Sequence, residues 1–128
     1  DDREFETRAE ALLARLEAAL EASPADLDWE RVGSGILEIE FGDGSKMVIN
    51  RHGVGQEMWV AARSGGFHFR WDGGRWIDTR DGAPLLDRVS ELLSAQAGET
   101  FGLGSVADGA IAGRSVGAPP KQQNGSIR

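Results

Sequence analysis

The chain has 128 residues, 40% of them hydrophobic and 27% charged, with a formal net charge of −7 and no cysteine. That is the size and balance of one domain with one core, and without thiols, disulfides, thiolate nucleophiles, zinc ribbons and thiolate-held iron-sulfur clusters are excluded, so any metal must be held by oxygen or imidazole. Ten acids and only three bases lie in residues 1–30, while the rest of the chain is neutral; this argues against a nucleic-acid role and for a localised anionic surface that faces cations or a basic protein.

No apolar run approaches the roughly 20 residues that a membrane-spanning helix needs. The opening segment DDREFETRAE is polar and acidic, unlike a signal sequence or mitochondrial presequence. The expectation is a cytoplasmic protein without membrane association. EFETRAEALLARLEAALEA then sets Phe5, Ala9, Leu12, Leu13, Leu16 and Leu20 at helical spacing. At about 100° per residue, Glu6, Glu10, Glu17 and Glu21 fall on one flank of that apolar stripe with Asp2 nearby, while Arg8 and Arg15 project from the other. Ser23-Pro24 ends the helix, because proline disfavours the helical conformation in the residue before it.

From there the period is two. ADLDWERV places Asp26, Asp28 and Glu30 on one face, with Leu27 and Trp29 between them. SGILEIEF alternates Leu37, Ile39 and Phe41 against Glu38 and Glu40, and an Asp43-Gly44 hairpin turn leads into KMVIN. EMWVAAR, FHFRW and RWID follow, separated by the turn signals SGG and DGG, which makes about six short strands. APLLDRVSELLSAQAG returns to helical spacing, with Gly98 as the stop. The order helix, antiparallel meander, helix predicts an α+β two-layer sandwich, with both helices on one face of the sheet and the other face open to solvent. Residues 1–102 form the predicted domain. Residues 103–128, rich in Gly, Ala, Ser and Pro without sustained periodicity, read as a disordered C-terminal tail.

Carboxylates suit hard cations such as Fe(III), Mg(II), Ca(II) and Mn(II), and Fe(II) with less preference, so the acidic segments do not select iron by themselves. Acids on one strand face lie about 7 Å apart, where mutual repulsion is roughly 0.6 kcal/mol in water and about 2 kcal/mol at an effective dielectric near 20. A bound cation relieves that repulsion. An open ridge with few ligands per ion binds weakly and exchanges readily, and salt competes with it. The same charges also suit a wet helix flank and an edge strand that blocks sheet-to-sheet aggregation. His52 and His68 are the only histidines, and neither sits in an H-x-x-H or nucleophile-elbow context. GDGSK and RDGAP are turns that lack phosphate-loop spacing.

GSGILEIEFGDGSKMVIN, EMWVAARSGGFHF, RWIDTRDG and SAQAGET, in that order, resemble the frataxin family and within it the bacterial CyaY branch. The most specific combination is Ile49-Asn50-Arg51, a tryptophan nine residues after Asn50, and Gly65-Gly66-Phe67-His68-Phe69. The resemblance implies an iron-binding protein that delivers iron to, or regulates, iron-sulfur cluster assembly through contact with a cysteine desulfurase and its scaffold protein. It implies no classical catalytic site, no organic cofactor, and iron, Fe(II) or Fe(III), held weakly and exchangeably on a bacterial cytoplasmic protein. The expected state is a monomer by default, open to metal-driven oligomerisation.

The metal ridge implied by the resemblance comprises Asp2, Glu6, Glu10, Glu17, Glu21, Asp26, Asp28 and Glu30. The implied partner surface on the open sheet comprises Asn50, Arg51, Glu57, Trp59, His68 and Arg70. Trp59 read without the resemblance is either a contact anchor or a core residue. Three departures stand out: RHGVGQE lacks a proline common in the family, Glu57 replaces a usual glutamine, and Ala22 and Ser23 stand where many relatives carry acids, which thins the ridge. Two other functional readings accompany the first. One is an acidic module that docks a basic partner without physiological metal; the other is a small hydrolase using paired carboxylates and His68.

Overall fold

In the computed structural model, which describes residues 1–103, Asp1 caps the first helix. Its carboxylate accepts from the Glu4 N–H at 2.9 Å and Glu4 reaches back to the residue 1 backbone, satisfying two donors that a helix start leaves open. Helix α1 spans Asp2–Ala22 and stops at Ser23, whose extended backbone (ψ 141°) is the conformation Pro24 demands. Strands β1 (Leu27–Val32), β2 (Ile36–Phe41), β3 (Lys46–His52), β4 (Glu57–Ala62), β5 (Gly65–Trp71) and β6 (Trp76–Asp78) follow, then helix α2 (Leu85–Ala97). Each strand pairs antiparallel with the next, so β1 and β6 are the two edges. This is the expected two-layer α+β sandwich, with two helices against a six-stranded open sheet.

One face of the sheet carries the core. Leu37, Ile39 and Phe41 of β2, Met47 and Ile49 of β3, Met58 and Val60 of β4 and Phe69 of β5 are buried together with Phe5, Ala9, Leu12, Leu13, Leu16 and Leu20 of α1. Leu85, Val89 and Leu93 of α2 complete it. Because successive strand residues point to opposite faces, Glu38, Glu40, Lys46, Val48, Asn50, Trp59 and His68 are committed to the open side.

Polar bonds tie the layers where the apolar contacts end. Buried Gln96 of α2 donates to Ser45 Oγ at 2.8 Å and to the Lys46 carbonyl at 3.0 Å, and its carbonyl accepts from the Arg63 N–H at 3.3 Å. Asp78, also buried, accepts from the Arg80 N–H at 2.7 Å and from Arg88 Nη1 of α2 at 3.1 Å. The chain after α2 is held by two serines. The Phe101 N–H donates to Ser94 Oγ and the Leu103 N–H to Ser90 Oγ, each at 2.8 Å. Leu103, placed by the sequence reading on the tail side of the domain boundary, is therefore packed in the core. The rest of the expected tail, 104–128, lies outside the described residues.

The strongest layer tie is Arg31 of β1. Its guanidinium donates to both oxygens of Glu17, at 2.8 and 3.0 Å, to both of Glu10, at 2.8 and 3.2 Å, and to the Ser34 carbonyl at 2.9 Å. These hydrogen bonds hold the Glu10 carboxyl below the usual glutamate range, against a smaller opposing effect of desolvation. Arg31 is raised above its ordinary value, by hydrogen bonds first to Glu10 and then to Glu17.

Two outcomes follow for stability. Gln96→Leu keeps the volume but strands the part-buried Arg63 N–H and Lys46 carbonyl, and denaturant unfolding should show a loss of about 1 kcal/mol. Arg31→Met should cost about 1–2 kcal/mol, a figure reduced for the partial exposure of the glutamates. A carboxylate whose folded pKa is depressed contributes stability above its unfolded pKa and loses it as pH falls through the folded value. Acid titration of Arg31→Met should therefore show a shallower loss of stability below the ordinary glutamate range than the parent protein.

Candidate functional site

The eight predicted ridge acids do not form one site. A helix rises about 1.5 Å per residue, so Asp2 and Glu21 at its two ends stand roughly 28 Å apart. Asp2 accepts from Gln56 Nε2 at 2.8 Å, across the turn between β3 and β4. Glu10 and Glu17 are occupied by Arg31. Glu6 is exposed on the same helix flank. The structure instead brings the far end together: Glu21 and Asp28 line one shallow hollow with Leu20, Ala25 and Trp29.

Asp28 and Glu30 are exposed on edge strand β1 and face the open side of the sheet. Cross-strand register puts Asp28 opposite Glu40 and Glu30 opposite Glu38. Side chains so placed have Cβ atoms about 5 Å apart, and like charges there repel by about 1–3 kcal/mol depending on local dielectric. Lys46, paired with Glu40 on the next strand, offsets part of this. The five charged residues line one depression of about 120 Å³. Asp26 precedes the strand and is exposed, over the β2–β3 turn. Gly42 permits its approach, since a Cβ at that position would fall 2.5 Å from Asp26 Oδ2.

Glu38 and Glu40 were absent from the predicted ligand set. Their alternation with Leu37 and Ile39 was readable, but the partners opposite them are set by strand register. Among the described residues, no group of three or more His, Asp or Glu side chains converges as a preformed ion cage. The arrangement is an open, repulsive carboxylate surface, suited to ions that keep most of their water or to a cationic protein.

The second surface is centred on Trp59, half-buried on β4. His52 stacks on one face of the indole (ring centroids 3.9 Å, 11° between planes) and His68 on the other (4.3 Å, 7°). The indole Nε1–H donates to Glu57 Oε1 at 2.8 Å, and Arg70 donates to the other oxygen of Glu57. Desolvation pushes the Glu57 carboxyl up, but the bonds from Trp59 and Arg70, with the charges of Arg70 and His68, outweigh it and leave it below the usual range. The His52 Nδ1 accepts from the Gly55 N–H at 3.3 Å, which orients its ring. Trp59 is thus neither core nor freely projecting: it is fixed between two imidazoles, with its ring edge available.

Asn50 pairs with Trp59 and Trp59 with His68, so these three lie in one row across the open face, with Glu57 and Arg70 paired in the next. Arg51 does not join them. It has the parity of Met47 and Ile49 and turns to the helix side, where Nη2 donates to Ser34 Oγ at 3.2 Å and its charge acts on Glu10. Consecutive residues of a strand cannot share a face.

The chain matches the family model described as a frataxin-like domain over residues 1–99. It is 59% identical over 101 residues to the iron-sulfur cluster assembly protein CyaY of Dechloromonas aromatica, covering 79% of this chain and 96% of that protein. Against the CyaY of Paraburkholderia phymatum, the identity is 46% over 98 residues, covering 77% and 92% of the two chains. Among solved structures, frataxin from Psychromonas ingrahamii superimposes with a TM-score of 0.75 at 32% identity, covering 80% of this chain and 97% of that one. The trimeric frataxin of the yeast Saccharomyces cerevisiae, solved in complex with ferrous iron, gives 0.59 at 28% identity, covering 75% and 87%. No helix among the described residues is long and apolar enough to cross a membrane. On sequence and on fold alike, the chain belongs to the frataxin family, in its bacterial CyaY branch.

Proposed function

We propose that this protein acts in iron-sulfur cluster assembly without catalysing a reaction itself, carrying iron as cargo on its acidic edge and meeting its partner with the Trp59 face. The observation that carries the reading is the cross-strand pairing of Asp28 with Glu40 and Glu30 with Glu38, continued by Glu21 across the hollow beside Asp28. Paired like charges on an open surface are costly until a cation joins them. The names of the CyaY relatives and the ferrous complex of yeast frataxin support iron as that cation. Carboxylate oxygens with few ligands per ion favour release over retention, which suits delivery to a cysteine desulfurase and its scaffold, or sensing on their behalf, in the bacterial cytoplasm.

A second reading, an acidic surface that docks a basic protein without metal, is favoured by the absence of a converging ion cage among the described residues. Anaerobic Fe(II) titration followed by amide NMR separates the two. Selective changes are expected at Glu21, Asp28, Glu30, Glu38 and Glu40, with little at Glu10 and Glu17, whose oxygens are held by Arg31. Uniform small changes along the chain, or none, would overturn the cargo reading and leave the docking one.

The partner face has its own test in capture of the cognate desulfurase. Replacing Trp59 with Ala removes an indole that supplies little to the core, so folding should persist while binding weakens by roughly 10-fold or more, the size typical of a tryptophan anchor. Undiminished capture by a folded Trp59→Ala variant would remove this surface from the proposal. Arg51→Ala should leave capture nearly unchanged, because its side chain points to the helix layer.

A further inference from the structure

Arg8 and Arg15 lie on the flank of α1 turned away from the acidic edge, and there a cleft of about 330 Å³ opens between α1, the β5–β6 hairpin and the first turn of α2. It exists because β6 is only three residues long and the turn before it contains Gly73 and Gly74, which bring no side chains to fill the space. Buried Trp76 is its floor, beside Leu12 and Leu85. Half-buried Trp71 is a wall, its ring edge-on to Trp76 at 5.5 Å between centroids. The Arg8 guanidinium carbon sits 5.1 Å over the Trp71 ring, so one cation is already seated on the aromatic wall.

The charge of this cleft is opposite to that of the molecule. Arg8, Arg15 and Arg75 line it with Asp87 as the one lining carboxylate, and Arg8 also lies 3.9 Å from exposed Glu4 outside the cleft, in a chain of net charge −7. Arg75 is exposed, and among the described residues no carboxylate lies within ion-pair distance of it. The nearby Asp72 carboxylate accepts from the Gly74 and Arg75 N–H groups, each at 2.9 Å, and the Arg75 charge also acts on it, so Arg75 is partly balanced. Apolar aromatic walls with a few convergent polar groups, in a volume within the roughly 300–1,000 Å³ typical of ligand sites, describe a small-molecule pocket rather than a packing defect. Guanidinium groups pair in fork geometry with planar oxyanions, and indoles offer a stacking surface.

We propose that this cleft binds a planar aromatic anion, an arene bearing a carboxylate or phosphate, with its ring beside Trp71, Trp76 and the Arg8 guanidinium that caps Trp71, and its anionic group toward Arg8, Arg15 and Arg75. The site is independent of the acidic edge and of the Trp59 face, so it stands or falls apart from the iron reading. The chain carries four tryptophans, whose indole N–H signals report separately: Trp29, Trp59, Trp71 and Trp76.

The test is an NMR titration with 1-naphthoate and with its neutral counterpart 1-naphthamide. The carboxylate should move the Trp71 and Trp76 indole signals and the Gly74 amide, leave Trp29 and Trp59 in place, and bind more tightly than the amide. Two exposed positions check the electrostatics without touching the core. Arg75→Gln should weaken 1-naphthoate by about 3-fold and Asp87→Asn should tighten it by a similar factor, the size expected of one partly screened charge. Equal binding of the neutral amide, shifts centred on Trp59, or the same affinity in both variants would each overturn the proposal.

Discussion

Leu37, Ile39 and Phe41 of β2 and Met47 and Ile49 of β3 must reach under the helices, since they supply much of the buried core. A strand has a side-chain period of two, so that single requirement sends Glu38, Glu40, Lys46, Val48 and Asn50 to the opposite, wet side. The two candidate surfaces are consequences of this one-sided burial. The acid pairs of β1 and β2, the Asn50–Trp59–His68 row and the exclusion of Arg51 from that row all follow from parity and register. A slip of one residue would exchange the core and the open face together.

Within that frame, the excess negative charge is sorted by what each acid meets. Glu10 and Glu17 are committed to Arg31 and fasten α1 to the edge strand, so they serve the fold. Glu21, Asp28, Glu30, Glu38 and Glu40 have Lys46 as the cation among them and remain an unbalanced patch. Asp2 is tied to the far turn through Gln56. The other flank of α1 carries Arg8 and Arg15 toward Trp71 and Trp76. One helix thus divides an acidic edge from a basic aromatic cleft, so the two sides of the molecule carry opposite charge.

The Trp59 cluster has a different logic. A lone indole on a wet sheet would be free to rotate, and ordering it on binding would cost entropy. Here His52 and His68 cover both faces while Glu57 holds the N–H, so the ring orientation is already set in the free protein. Glu57 fits the same network because it also anchors Arg70. The charge it adds is thereby matched by a neighbouring guanidinium.

The helix α1 with its stop at Ser23, the strands, the order of elements and the outward placement of Asp28, Glu30, His68 and Arg70 are readable from the chain, whereas Trp59 without the family resemblance reads equally as core. Each depends on a local period or a turn residue that nearby positions determine. Arg51 was misassigned to the open face because a motif of adjacent residues was carried over without its parity. That Glu38 and Glu40 face Glu30 and Asp28, and that Glu10 and Glu17 are held by Arg31, is not legible locally, because no local pattern tells which charge Arg31 will meet 14 and 21 residues away. The sequence by itself determined the fold class, the amphipathic faces and the localisation of charge, since these are properties of spacing and composition. Only the tertiary structure decided which acids are neutralised, which face one another across strands, and that three arginines and two tryptophans line one cleft. Those outcomes depend on register and on contacts between residues distant in the chain, and burial of the shared core selects them as a whole.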